Sequence, residues 1–350
     1  MRVSVSVGSA YYDGDNWDDL VEYVKAADRL GADTVWSAEA WGMEAVSSLG
    51  YLAAVTENIR LGSGIMQISA RTPATTAMTA LALDKLSHGR FSLGLGVSGP
   101  QVVEGLHGDS FAKPLARLRE YVEIVRMAMN GERIVYHGDH YELPRPGGEG
   151  KALKLAIAPN PHLPIYLATL GPKSLELTGE LADGWVGTSL IPEHADVLLD
   201  PIRVGAERAG RTLADLDIQV NAQLAVSDDV DALLDRARPG MAFTLGGMGS
   251  ATTNFYNAAY SRAGYGDIAA EVQRLWTTGD KPAAIAAVPD ELLLQAYAIG
   301  TEDMVRDRIR ALAAAGIDSV RIGPQGRTSA EQIRHLEMAI DIITSASVPD

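Results

Sequence analysis

The side chains able to do chemistry gather in short stretches rich in glycine and hydroxyls. Gly94-Leu95-Gly96-Val97-Ser98-Gly99 spells G-x-G-x-x-G, which in a dinucleotide site follows a first strand and opens a helix. Pro100 and Gly105 interrupt the place where that helix should open, so the stretch reads better as a glycine-lined mouth that admits a flat cofactor. Ala168, Thr169, Leu170, Gly171, Pro172 and Lys173 carry a strand straight into a helix whose first N–H groups are free. That is an anion site with Lys173 beside it, unless Gly171-Pro172 only makes a tight turn. Thr188 and Ser189, at the next strand end, would add hydroxyl donors to the same anion. Glu39 offers a carboxylate for proton transfer and Trp41 an aromatic wall, whereas Glu44 reads as a helix-start acid. His137 and His140 are the one close pair among seven histidines, but they flank Gly138-Asp139 in a turn, and no metal is expected. Ser63 and Ser98 lie beside glycines without forming G-x-S-x-G, which argues against an acyl-transfer triad. Phe255, Tyr256, Tyr260 and Tyr265 crowd together in a chain with only 6% aromatics. With Asn254, Asn257 and Arg262 they suggest a pocket for a flat or apolar substrate. Arg262 could instead clamp an anion.

These residues need strands that end and helices that begin beside one another. Period and punctuation give strands over 3–7, 33–37, 59–67, 91–96, 164–168, 185–188, 217–226 and 319–323. Helices are expected over 17–30, 45–56, 74–86, 114–129, 174–181, 194–209, 228–238 and 329–345, with others starting at 268, 289 and 301. The strands are apolar runs rather than alternations, the pattern of parallel sheets covered on both faces. A hairpin turning at Gly138 falls in an insertion over about 131–163, and a second insertion covers about 240–300. Eight strand-then-helix units point to an α/β fold of the (β/α)8 TIM-barrel type, as a single domain over 1–350. An open doubly wound sheet with a helical cap is the rival. In a barrel, catalytic groups belong at the C-terminal ends of the strands, where the stretches above fall.

Composition narrows the partners. Thirty basic against forty-five acidic residues leave a net charge of −15, which repels a phosphate backbone, so nucleic acid is not an expected partner. Without cysteine there is no disulfide, zinc ribbon, iron–sulfur cluster or thiol nucleophile. Residues 1–7 alternate like a strand and do not resemble a secretory signal, and no apolar run reaches the roughly 18 to 20 residues of a membrane span. A cytoplasmic protein with no membrane contact is expected.

Four segments resemble the luciferase-like monooxygenase superfamily: Ile59-Arg60-Leu61-Gly62-Ser63-Gly64-Ile65-Met66-Gln67, Arg71-Thr72-Pro73-Ala74, Leu83-Asp84-Lys85-Leu86-Ser87-His88-Gly89-Arg90-Phe91, and Gly94-Leu95-Gly96. Residues 171–185, beginning Gly171-Pro172-Lys173-Ser174-Leu175 and ending Ala182-Asp183-Gly184-Trp185, look like its coenzyme F420 branch. That branch contains methylenetetrahydromethanopterin reductase and F420-dependent glucose-6-phosphate dehydrogenase. The resemblance implies a luciferase-like barrel with a deazaflavin against a bulge in the third strand, where Gly64–Ile65 matches a non-prolyl cis peptide. It implies F420 rather than FMN, hydride transfer at the deazaflavin C5 to or from a small-molecule substrate, and a homodimer. Gly64, Ile65 and Met66 would back the ring and Leu170 to Lys173 with Thr188 hold the phosphate, and Ser37, Gln67, Gly96, Val97, Ser98, Ala168, Thr169 and Ser189 would also bind the cofactor. Glu39 would be the acid or base and Trp41 a pocket wall. The sugar-phosphate enzyme carries a histidine after its second strand and a glutamate after its fourth; here Ala38-Glu39 and Ser98-Gly99 stand there, so sugar-phosphate oxidation is not expected. The other readings are an FMN-dependent monooxygenase and a carrier that binds flavin or deazaflavin without turnover.

Overall fold

The computed structural model describes residues 1–8, 16–250 and 252–346. Thirteen strands lie among them: β1 Arg2–Val7, β2 Thr34–Ser37, β3 Arg60–Ser63, β4 Met66–Gln67, β5 Phe91–Gly96, β6 Tyr136–His137, β7 Glu142–Leu143, β8 Ile165–Leu167, β9 Gly184–Gly187, β10 Asp217–Asn221, β11 Leu224–Val226, β12 Ala298–Gly300 and β13 Ser319–Ile322. The main sheet runs β3-β2-β1-β13-β10-β9-β8-β5-β4, and β3 also pairs with β5. Because β3 and β4 are the halves of one strand broken at Gly64–Ile65, the order returns on itself, an eight-stranded parallel barrel. Every residue of β2, β5, β8, β9 and β13 is buried, as apolar runs covered on both faces should be. Among the described residues no helix is long and apolar enough to cross a membrane.

Two compact units make up the chain. The N-terminal unit comprises Ser6–Ala168 and Leu181–Gly184. Its helices start where the sequence places caps: Thr72 accepts from the Thr75 N–H ahead of Pro73, and Glu44 accepts from the N–H groups of Val46 and Ser47. The β6–β7 hairpin turns at Gly138, and His137 pairs with Glu142 across it.

The C-terminal unit comprises Met1–Val5, Thr169–Glu180 and Trp185–Asp350. It carries a second apolar core, in which Leu233, Leu234, Met241 and Leu245 pack with Val272, Val288, Leu292 and Leu293. Three expectations are corrected here. The helix expected over 228–238 runs from Val230 to Gly246 through Pro239, because the apolar face continues in Met241, Ala242 and Leu245 and the proline forfeits one helical bond. The strand expected over 217–226 breaks in two, since Ala222 still donates to Arg321 while β11 pairs with β12, a strand the sequence reading lacked. A helix over Lys281–Ala286 was likewise not expected. The glycine-rich stretch 246–266 holds the helix Phe255–Tyr260 and a kink at Gly264, with Ala251 outside the described residues.

Candidate active site

In the N-terminal unit, β3 and β5 approach closely because glycine stands at the crossing points. The Ser63 hydroxyl donates to the Gly94 carbonyl at 2.9 Å and accepts from the Gly94 N–H at 2.8 Å. A Cβ on Gly94 would sit 1.9 Å from the Ser63 carbonyl oxygen, so no side chain fits. Gly62 and Gly64 face Trp36, whose ring packs edge-on against Tyr166 at 5.0 Å between centroids. The Gly64–Ile65 bond is cis. Ile65 lies over Gly96, where a Cβ would come 2.9 Å from Ile65 Cδ1. Val97 and Ser98 follow as half-buried loop residues, Ser98 with φ 61°, and the helix beyond them is only Pro100–Val103. The long helix that a dinucleotide turn would open is absent there. Met66 is fully buried. Ser37 and Gln67 are buried at the ends of β2 and β4.

The carboxylate of Glu39 is enclosed by donors. Arg71 reaches it through two nitrogens at 2.5 and 2.7 Å, the Ala45 N–H donates at 3.2 Å and the Gln67 N–H at 3.4 Å. Glu39 in turn holds the Arg71 guanidinium above its ordinary pKa, against the pull of burial. The Arg71 carbonyl accepts from the Tyr121 hydroxyl at 3.1 Å, and the Tyr121 ring stands edge-on to Tyr141. Gln67 Nε2 donates to the carbonyls of Glu39 and Ala40, both at 3.1 Å. Trp41, expected as a pocket wall, is 66% exposed.

In the C-terminal unit the helix Pro172–Leu181 opens at Gly171. A Cβ there would meet nothing nearer than Ser174 Oγ at 3.4 Å, so the space beside the turn is open. Two expected donors prove to be engaged. Thr169 shares its hydroxyl hydrogen with Thr178 at 2.7 Å, while its carbonyl accepts from Trp185 Nε1 at 3.0 Å. Lys173 points to solvent and pairs with Glu176 at 2.7 Å. Arg262 comes to the turn instead, donating to the Leu170 carbonyl at 2.6 Å, and no carboxylate pairs with it among the described residues. Burial pulls its pKa down. Ser189 has φ 58° and lies beside the Tyr260 hydroxyl, and Thr188 precedes it half-buried.

The expected substrate asparagines are structural. Asn254 caps the helix Phe255–Tyr260 and donates to Thr244 and Leu245, and Asn257 donates to Leu245 and Ala269. Together they bolt the short helix to Val230–Gly246. Burial pushes the Tyr256 and Tyr260 hydroxyls up and Tyr297 up to about 12, so all three are neutral donors. The sequence reading gave no role to Arg71 or Tyr297 and weighed Ser63 only as an acyl-transfer nucleophile. Their partners lie tens of residues away, and no local spacing announces them.

A family model described as luciferase-like monooxygenase matches residues 2–319. A Mycobacterium tuberculosis protein, whose name places it provisionally among coenzyme F420-dependent oxidoreductases, is 41% identical over 344 residues, 96% of this chain and 98% of its own length. The 5,10-methylenetetrahydromethanopterin reductase of Archaeoglobus fulgidus is 31% identical over 320 residues, 90% of this chain and 93% of its own. Among solved structures, the coenzyme F420-dependent tetrahydromethanopterin reductase of Methanopyrus kandleri superposes with a TM-score of 0.79 at 23% identity, covering 97% of this chain and 98% of that one. At that identity the likeness establishes the fold.

Proposed function

We propose that this chain, which belongs to the luciferase-like monooxygenase family and is a coenzyme F420-dependent oxidoreductase, moves a hydride between C5 of the deazaflavin and an organic substrate that carries no phosphate. The observation that carries the reading is the break at Gly64–Ile65 between β3 and β4, the bulge in the third strand against which the planar tricycle is placed. Gly62, Gly94 and Gly96 let Trp36, Ser63 and Ile65 pack closely around it. When bound, the deazaflavin supplies a carbon that takes or gives a hydride, and the protein supplies position and electrostatics.

In this reading Ser37, Gly64, Ile65, Gln67, Gly96, Val97, Ser98 and Ala168 hold the ring. The open N–H groups at Gly171 and Ser174, with Arg262, Thr188 and Ser189, hold the phosphate. Thr169 and Lys173 support that turn from behind. Glu39 acts as a positioning residue: a proton on either oxygen would displace a donor, so the carboxylate holds Arg71 and the backbone of Gln67 rather than trading protons. Phe255 and Tyr256 recognise the substrate, which their size and neutrality make apolar or aromatic with a carbonyl-type acceptor. Two copies of the chain form the working assembly.

The test is a screen of reduced F420 oxidation against enones, quinones, ketones and imines, beside F420 reduction with alcohols and sugar phosphates. Turnover with an uncharged carbonyl or imine and none with glucose 6-phosphate is expected. Glucose 6-phosphate turnover overturns the substrate class, and silence across both panels with F420 bound favours a carrier.

A further inference from the structure

One buried polar atom at the ring face is left over. Gln67 is 1% exposed, and among the described residues its Oε1 has no hydrogen-bond partner. The orientation of its amide follows from its surroundings: two carbonyl oxygens, of Glu39 and Ala40, stand on one side at 3.1 Å, so that side is the nitrogen and the opposite side the oxygen. The brace is firm. Glu39 is clamped by two nitrogens of Arg71 and by the start of the helix Ala45–Val55, and the Arg71 carbonyl is tied to Tyr121. Rotating the amide would leave both carbonyls facing an oxygen. A buried acceptor without a donor is costly, and native structures keep few of them. Gln67 closes β4, the half-strand that follows the Gly64–Ile65 break and pairs with Leu95 and Gly96 of β5. The orphan therefore belongs to the half-strand that directly follows the Gly64–Ile65 break.

Resting on the cofactor reading above, we infer that the side-chain carbonyl of Gln67 accepts a hydrogen bond from the N3–H of the pyrimidine end of the bound ring. The chemistry is selective. In its oxidised form a deazaflavin or flavin ring has one N–H in that end, flanked by two carbonyls, and a lone fixed acceptor suits a lone donor. An amide oxygen held by its own nitrogen gains more from such a contact than a mobile side chain would, because its orientation is already paid for. FMN shares this N3–H, so the contact fixes ring register rather than choosing between cofactors.

A double-mutant cycle tests it. F420 and its N3-methyl derivative are titrated, by deazaflavin fluorescence, into the wild-type chain and into Gln67→Met, a side chain of similar length without the acceptor. The wild type should prefer F420 over the methylated form about tenfold more strongly than Gln67→Met does, the loss expected for one hydrogen bond to a buried acceptor. A preference equal in both proteins to within twofold overturns the inference, and points to a water filling the Gln67 acceptor. Should Gln67→Met not fold, 15N-labelled F420 on the wild type gives the answer. The N3 proton should exchange with solvent at least tenfold more slowly bound than free, and equal rates overturn the contact. If the wild type binds FMN and not F420, the cofactor reading fails by itself, and the same cycle with FMN and N3-methyl-FMN still judges Gln67.

Discussion

Four donors converge on the Glu39 carboxylate, and that changes what its position at a strand end means. The sequence places Glu39 at the barrel mouth correctly but cannot show that Arg71, thirty-two residues on, fills both its oxygens. The same holds for Asn254 and Asn257: polar residues among aromatics look like ligand contacts until their amides are traced to backbone carbonyls. Glu39→Gln should cost about 2 kcal/mol in denaturant unfolding, because the guanidinium loses half its counter-charge while Glu44 remains at 3.4 Å. The pH profile of kcat/KM should keep its shape. Loss of one limb in the variant would restore Glu39 as the proton donor or acceptor. At the same scale, what was legible was the class of residue each strand end offers, glycine and hydroxyl; which hydroxyl is free was not, since Thr169 is consumed by a helix residue nine positions away.

Elements were more legible than residues, because period and punctuation are local. Thr72-Pro73 and Glu44 start helices as their types dictate, and the barrel strands fall within a residue or two of the apolar runs. What failed was the C-terminal unit's second layer, where β11 finds β12 more than seventy residues away and Pro239 rides inside a helix held by a tertiary core. Close approach between elements gives sharp predictions. Gly94→Ala drives a Cβ into the Ser63 carbonyl, an atom of the backbone that cannot swing aside, and should cost about 3 kcal/mol or abolish soluble expression. A stability within about 0.5 kcal/mol of wild type would show that β3 and β5 sit farther apart. The β6–β7 hairpin depends on a different device: the Glu120 carboxylate, on the helix Pro114–Met129, accepts from the N–H groups of Asp139, His140 and Tyr141. Glu120→Leu strips three donors of their partner and should lower stability by about 2 to 3 kcal/mol, with the hairpin becoming the first site of proteolysis. Resistance of the hairpin to protease in that variant would contradict its dependence on Glu120.

For the molecule as a whole, the barrel was readable because eight apolar strands each followed by a helix leave few alternatives, and the strand order closes through β3–β5 as that count requires. One half-buried base adds a pH dependence. His335 gives Nε2 to the Leu224 carbonyl at 2.8 Å, and burial pulls its pKa below the ordinary value near 6.5. The unfolded chain thus takes up a proton below about pH 6.5 that the folded chain refuses until lower pH, so stability should fall as pH drops through that window. His335→Gln should flatten the fall in Tm between about pH 6.5 and 5, and an unchanged slope would assign it to other groups. The central claim is that a deazaflavin, not a flavin, lies against the Gly94–Gly96 face. Its most direct measurement is a paired fluorescence titration of the purified chain with F420 and with FMN under identical conditions. The account predicts saturable F420 binding at least tenfold tighter than FMN; tight FMN binding with no F420 binding contradicts it.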